Sequence, residues 1–344
     1  MGFLLILLVL AVIIAVHESG HLLLAKLFGV GVKRFSVGFG PIILHKKFGE
    51  TKYALSAIPL GGYVSMVGEL NSGEETSDPK SYNSKPRWQR IIILLAGPGF
   101  NFMFGALIIL LSFSIFGTPT ITNRIIAIVD KSPAALAGLK PKDKIVAVNG
   151  KETRSWEEVV KAIASNSSSK ELDLRVEREG FGYLHIKVFP VIADNKPRIG
   201  IWGGEIITQR DLKNAIPNAI NYSIYEVMGL SAGFYKIVAG QVAIKDSLGG
   251  PLAIVSVGNK VKSDSGLLGI FLFAAFINFN LGILNLLPIP ILDGGGIMIL
   301  LVESIIRRPI NPRLRNALQL AGLGLLLAIM ILAISNDISH LFNK

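Results

Sequence analysis

The 344-residue sequence contains no cysteine. Disulfide frameworks, thiolate nucleophiles and cysteine-held zinc or iron–sulfur centres are therefore excluded, and any metal must be bound by His, Asp or Glu. Histidine is itself scarce, with five residues. Charge is also low. Asp, Glu, Lys and Arg make up 17% of the chain, against roughly 25% in an ordinary soluble protein. Apolar residues reach 51% and the mean hydropathy is +0.53, the balance of a membrane protein. The net charge of +11 would suit a nucleic-acid partner in a soluble chain. Here the basic residues gather beside apolar runs, so membrane topology accounts for them and no nucleic acid is implied.

A bilayer-spanning helix needs about 20 mostly apolar residues. Four segments meet that length, at 2–25, 91–117, 266–288 and 316–335. The first has no Lys or Arg before it and no small-residue cleavage site, so it reads as a retained span rather than a signal peptide. Lys and Arg in short connections mark the cytosolic side. They crowd residues 26–90 and recur at Arg307, Arg308, Arg313 and Arg315, while the tail after the fourth run has only Asp337 and Lys344. Both termini and the long segment 118–265 are therefore expected outside.

Within the first run lies His17-Glu18-Ser19-Gly20-His21. On a helix, positions i and i+4 share a face, so both imidazoles can address one ion. Glu18 sits beside that face, placed to take a proton from an attacking water. Counted from Gly2, His17 lies about 22 Å along the helix, in the cytosolic third of the membrane. Polar packing inside the helix is the plainer alternative, but three such groups in a membrane span are costly unless they have a function.

Catalytic zinc usually takes three protein ligands, so a third is needed. His185 and His340 fall on the opposite side by the topology above, and His45 reads as a surface residue. The third apolar run ends in Asn285-Leu286-Leu287-Pro288-Ile289-Pro290-Ile291-Leu292-Asp293-Gly294-Gly295, where two prolines must stop the helix. Asp293 follows at the level of the two histidines. Alone, its Asp-Gly pair reads equally well as an interfacial turn; beside the histidine motif, ligation is the stronger reading.

These two motifs, with Phe35 to Pro41, Ala57 to Val64 and Ala96-Gly97-Pro98-Gly99-Phe100-Asn101-Phe102, give the chain its resemblance to the site-2 protease family of intramembrane zinc metalloproteases. Within it the chain resembles the bacterial RseP-like branch. The resemblance implies zinc held by His17, His21 and Asp293, with Glu18 as catalytic base. It implies that residues 35–66, whose Gly, Pro and apolar alternation reads as β-hairpin, form a membrane-associated sheet that holds unwound substrate by strand addition. The plainer alternative is a cytosolic hairpin. Asn285 is implied to bind substrate backbone or stabilise the reaction centre; for Asn101 an interhelical hydrogen bond is favoured. Many relatives carry His or Arg where this chain has Gly296, a position outside the ligand set.

The soluble composition of 120–203 includes Ser132 to Gly150, which resembles a protease-type PDZ domain. Such a domain either reads extended peptides or excludes bulky substrates, the second being favoured here. The expected architecture is thus an α-helical membrane protein with four transmembrane helices, a membrane-associated β-hairpin and one inserted extracytoplasmic PDZ domain of β-rich α+β type. Its parts are a first membrane half at 1–117, the PDZ domain at 118–204, an interfacial amphipathic linker at 205–265 and a second membrane half at 266–344. The expected function is endopeptidase cleavage in or near single-span substrates, such as anti-sigma factors or signal-peptide remnants, in the bacterial inner membrane. A non-catalytic scaffold with a relic metal site and a metal transporter are weaker readings, because the ligand set is complete and the polar residues cluster toward one side.

Overall fold

Apolar residues run from Gly2 without a proline to interrupt them, and in the computed structural model they form helix α1 (Gly2–Leu27). The structure describes residues 2–69, 78–165, 171–193, 196–204, 206–242 and 249–342. These fall into two compact units, one of residues 1–112 with 216–344 and one of residues 113–215.

In the first unit α1 leads into β1 (Val32–Phe48) and β2 (Thr51–Met66), joined by a tight turn at Gly49-Glu50. The pairing of the two strands shifts register along their length. Gly38 and Gly40 both take positive φ, at 92° and 82°, where β1 bends, a conformation glycine adopts without steric cost. The bend folds the hairpin over on itself. Residues 34–37 of β1 pair on one side with 62–65 of β2 (Phe35 with Val64, Val37 with Gly62) and on the other with 52–55 (Phe35 with Tyr53, Val37 with Leu55). The hairpin therefore makes four rows, and Gly62 to Met66 is an outer row.

Helix α2 (Arg87–Phe116) follows, with Pro98 inside it. After the second unit come α5 (Ala215–Val238), α6 (Pro251–Asn285), α7 (Asp293–Ile306) and α8 (Pro312–Phe342). Among the described residues four helices are long and apolar enough to cross a membrane: α1, α2, α6 and α8. Helix α6 starts well before residue 266, where the apolar run was expected to begin. Lys260, Lys262 and Asp264 interrupt the hydropathy there, yet they are compatible with helix. The expected boundary is instead a kink, with Gly266 at φ 58°, ψ −138°. Pro288 and Pro290 keep residues 286–292 non-helical, as anticipated, but Asp293 is the first residue of a further helix that the hydropathy pattern did not reveal.

The second unit contains β3 (Thr118–Ile121), β4 (Ile125–Ile128), α3 (Pro133–Leu136), β5 (Lys144–Val148), β6 (Lys151–Glu152) and α4 (Trp156–Ala164). It continues with β7 (Leu172–Arg178), β8 (Gly182–Val188), β9 (Val191–Ala193), β10 (Lys196–Arg198), β11 (Ile201–Gly203) and β12 (Ile206–Gln209). An antiparallel sheet of order β6-β5-β7-β8 carries the core, with β4 paired to β11 and β3 to β12. Alternate residues Leu172, Leu174 and Val176 face inward, as strand periodicity demands, onto Ile145, Val188, Val159 and Ile163. Asp143, 1% exposed, accepts from Arg178 at 2.7 Å and from the Lys140 N–H, so its buried charge is paired.

Candidate metal centre

The site begins with a close approach of two helices. A side chain at Gly20 would collide with the Ala96 backbone, and one at Gly97 would collide with the imidazoles of His21 and His17. Glycine at both positions lets α1 and α2 meet backbone to backbone. The histidine face of α1 is thereby pressed against α2.

Both histidines are buried. His21 Nδ1 lies 2.8 Å from the Ile93 carbonyl, which can only accept, so in the neutral ring Nδ1 carries the hydrogen and Nε2 the free lone pair. That lone pair is directed at His17 Nε2, 3.2 Å away. Asp293, at the N-terminus of α7, completes the cluster. Its Oδ2 lies 3.3 Å from His17 Nε2 and its Oδ1 3.4 Å from His21 Nε2. Gly294 and Gly295 allow this placement, because a side chain at either would strike the folded-back backbone of residues 286–290.

The donor set fits a tetrahedral zinc ion. With bonds of about 2.0–2.1 Å, the edges of a tetrahedron are about 3.3 Å, which is the spacing observed here. Asp293 Oδ2 is moreover buried with no hydrogen-bond partner. Such an orphaned carboxylate oxygen is costly unless something else completes it. Among the described residues these three form the group of close metal-type donors.

A cavity of about 350 Å³ opens beside the cluster. Glu18, Asn285 and Glu69 line it with the three donors, and its apolar wall includes Ile14, Leu94, Leu281 and Ile291. Another side of the cavity is the outer row of the hairpin, Gly61 to Val64 with Met66. The row comes close to α1: a side chain at Gly62 would meet Glu18 Cγ at 2.8 Å. Asn285 Nδ2 is 3.4 Å from His17 Nε2, and Asn101 Nδ2 is 3.2 Å from His17 Nδ1.

All the residues singled out from the motifs are thus brought together. His45 is exposed on β1, outside the cluster. His185 is exposed and pairs with Asp173 at 3.1 Å; the His340 side chain lies outside the described residues. Sequence reasoning missed the Ile93 carbonyl, which has no side-chain signature, and Glu69. A carboxylate three residues beyond the hairpin already singled out was the available signal for Glu69.

The model of Peptidase family M50 matches residues 5–329. The chain is 31% identical to the regulator of sigma-W protease RasP of Bacillus subtilis, over 95% of each chain. It is 36% identical to a Helicobacter pylori protein named as a zinc metalloprotease, over 98% of this chain and 99% of that one. A Fusobacterium nucleatum protein named in the same way is 34% identical over the full length of both. With a match of this extent the chain belongs to Peptidase family M50, the site-2 proteases, and is a zinc metalloprotease.

Proposed function

We propose that this protein is an intramembrane endopeptidase that cleaves peptide bonds in or near the transmembrane segments of single-span substrates. The observation that carries the reading is the convergence of His17, His21 and Asp293 beside Glu18, in a cavity walled by a hairpin row that, among the described residues, pairs with another strand on one side only. His17 and His21 through Nε2, and Asp293 through its carboxylate, are the zinc ligands. Zinc held there would supply a Lewis acid for the scissile carbonyl and would bring the pKa of water to about 7. Glu18 accepts the proton of the attacking water and delivers it to the leaving amine. Asn285, whose amide lines the same cavity, holds the substrate backbone.

A helical substrate keeps its carbonyls in its own hydrogen bonds, so it must be unwound before cleavage. The outer row Gly62 to Met66 offers the means. It is paired on one side with β1 and lines the cavity, so an unwound segment can add to it as a further strand. Membrane-anchored anti-sigma factors and signal-peptide remnants are the substrate classes. The first agrees with the name of the Bacillus subtilis relative, a regulator of sigma-W. The unit of residues 113–215 is a PDZ domain that excludes bulky substrates, a reading supported by its short helix, glycine turn and strand ending at Asn149-Gly150. The protein lies in the bacterial inner membrane with this unit outside and the zinc site toward the cytosol.

The test is zinc content by elemental analysis together with cleavage of a model single-span substrate. Wild type is expected to hold about one zinc and to cleave. Glu18→Gln should keep the zinc and lose about 10²–10⁴-fold in rate, and Asp293→Ala should lose both. Full activity in Glu18→Gln would remove Glu18 from the mechanism. Zinc and cleavage retained in Asp293→Ala would move the third ligand elsewhere, and an inert, zinc-free wild type would leave a non-catalytic scaffold.

A further inference from the structure

Asn101 is fully buried in α2. Its Nδ2 is 3.2 Å from His17 Nδ1, and its Oδ1 has no partner. The two ends of an amide have nearly the same shape, so its orientation is decided by the hydrogen bonds available. With the nitrogen toward the ring, Asn101 donates to His17 Nδ1, and the neutral imidazole must then carry its hydrogen on Nε2. That atom faces His21 Nε2 and Asp293, and a protonated Nε2 cannot bind a metal. With the amide reversed, Oδ1 accepts from His17 Nδ1–H and the Nε2 lone pair is free. No bond at the far end holds the first orientation in place.

The other ligand shows the same arrangement already satisfied. His21 Nδ1 is bound by the Ile93 carbonyl, which cannot donate. Residues 93, 97 and 101 are spaced by four and share one face of α2. Along that face lie a main-chain carbonyl for His21, a bare glycine where the rings press close, and the Asn101 amide for His17.

We propose that Asn101 is a positioning residue whose side-chain carbonyl accepts from His17 Nδ1–H and so holds His17 Nε2 unprotonated and aimed at the metal. This rests on the reading of His17, His21 and Asp293 as zinc ligands. It goes beyond an interhelical hydrogen bond, because only an acceptor at residue 101 does the work.

Aspartate and leucine separate the roles. Asp keeps the acceptor and has no amide donor, whereas Leu keeps the approximate volume and has neither. The experiment is the zinc dissociation constant of the full chain in detergent, measured by competition with a chelator, with a thermal melt of each variant to establish folding. Asn101→Leu is expected to weaken zinc binding by about 10–100-fold, the usual effect of losing a ligand's hydrogen-bond partner. Asn101→Asp should stay within about threefold of wild type. The proposal is overturned if Asn101→Leu, folded, binds as wild type does, or if Asn101→Asp, folded, loses tenfold or more. If Asn101→Leu does not fold, the Asp variant alone decides by the same threshold. A folded wild type that binds no zinc would overturn the underlying ligand assignment itself.

Discussion

Glu69 shows how a single residue is tuned by where the chain puts it. It lies three residues past the end of β2 and lines the cavity with Glu18 and Asp293. Burial raises its carboxyl above the ordinary value, and the Met66 N–H and the nearby His21 and Arg315 only partly oppose this. A carboxyl whose folded pKa is raised binds more protons folded than unfolded, so its contribution to stability is present below the unfolded pKa of about 4.5 and is lost as pH rises. Glu69→Gln, neutral at all pH, is accordingly expected to melt higher than wild type at pH 7–8 and to match it near pH 4. A difference that is the same at both values would show that Glu69 does not titrate in this range. At this scale the shared face of His17 and His21 was readable because i and i+4 on a helix need no tertiary information. Glu69 was not readable, since one carboxylate among many acquires its character only from what surrounds it.

The elements depend on partners distant in sequence. Helix α6 begins after Gly250, which has no side chain to cap it. Asp337 of α8 serves in its place, accepting from the N–H groups of Gly250 and Leu252 at 2.9 Å and of Ala253 at 3.3 Å. These are among the donors that a helix start leaves unpaired, and a carboxylate also suits the positive end of the helix dipole. Asp337→Ala is expected to cost about 1–2 kcal/mol, read as a lower denaturation midpoint in detergent, with Asp337→Asn losing less. An unchanged midpoint in the alanine variant would mean that water replaces the cap. From the sequence Asp337 was a charge in a terminal tail, because nothing local links it to Gly250. The hairpin was legible as strands, but its fold into four rows was not, since that depends on the Gly38 and Gly40 backbone angles and on pairing across the sheet.

For the whole molecule, the absence of cysteine makes topology directly measurable, because any introduced thiol is unique. Glu50, at the exposed turn of the hairpin, and Lys151, exposed on β6, belong to the two different units. The topology proposed above has them on opposite sides of the membrane. In intact cells a membrane-impermeant maleimide is expected to label Lys151→Cys, and to label Glu50→Cys only after permeabilisation. Equal labelling of both in intact cells would contradict the proposed orientation. Four helices long and apolar enough to span agree with the hydropathy reading, because that signal is additive along a helix and needs no contact between helices.

By itself the sequence determined what is local or additive: the apolar runs, the shared face of His17 and His21, the prolines that stop α6, and the strand periodicity around Leu172 to Val176. The tertiary structure decided what depends on two distant segments meeting. It brought Asp293 within 3.4 Å of both histidines, set Gly97 against their rings, turned Asn101 toward His17, and laid one row of the hairpin along the cavity. The physical reason is that the approach of donor atoms from separate helices and the placement of a sheet row are properties of distances between segments, and composition and periodicity carry no record of those distances.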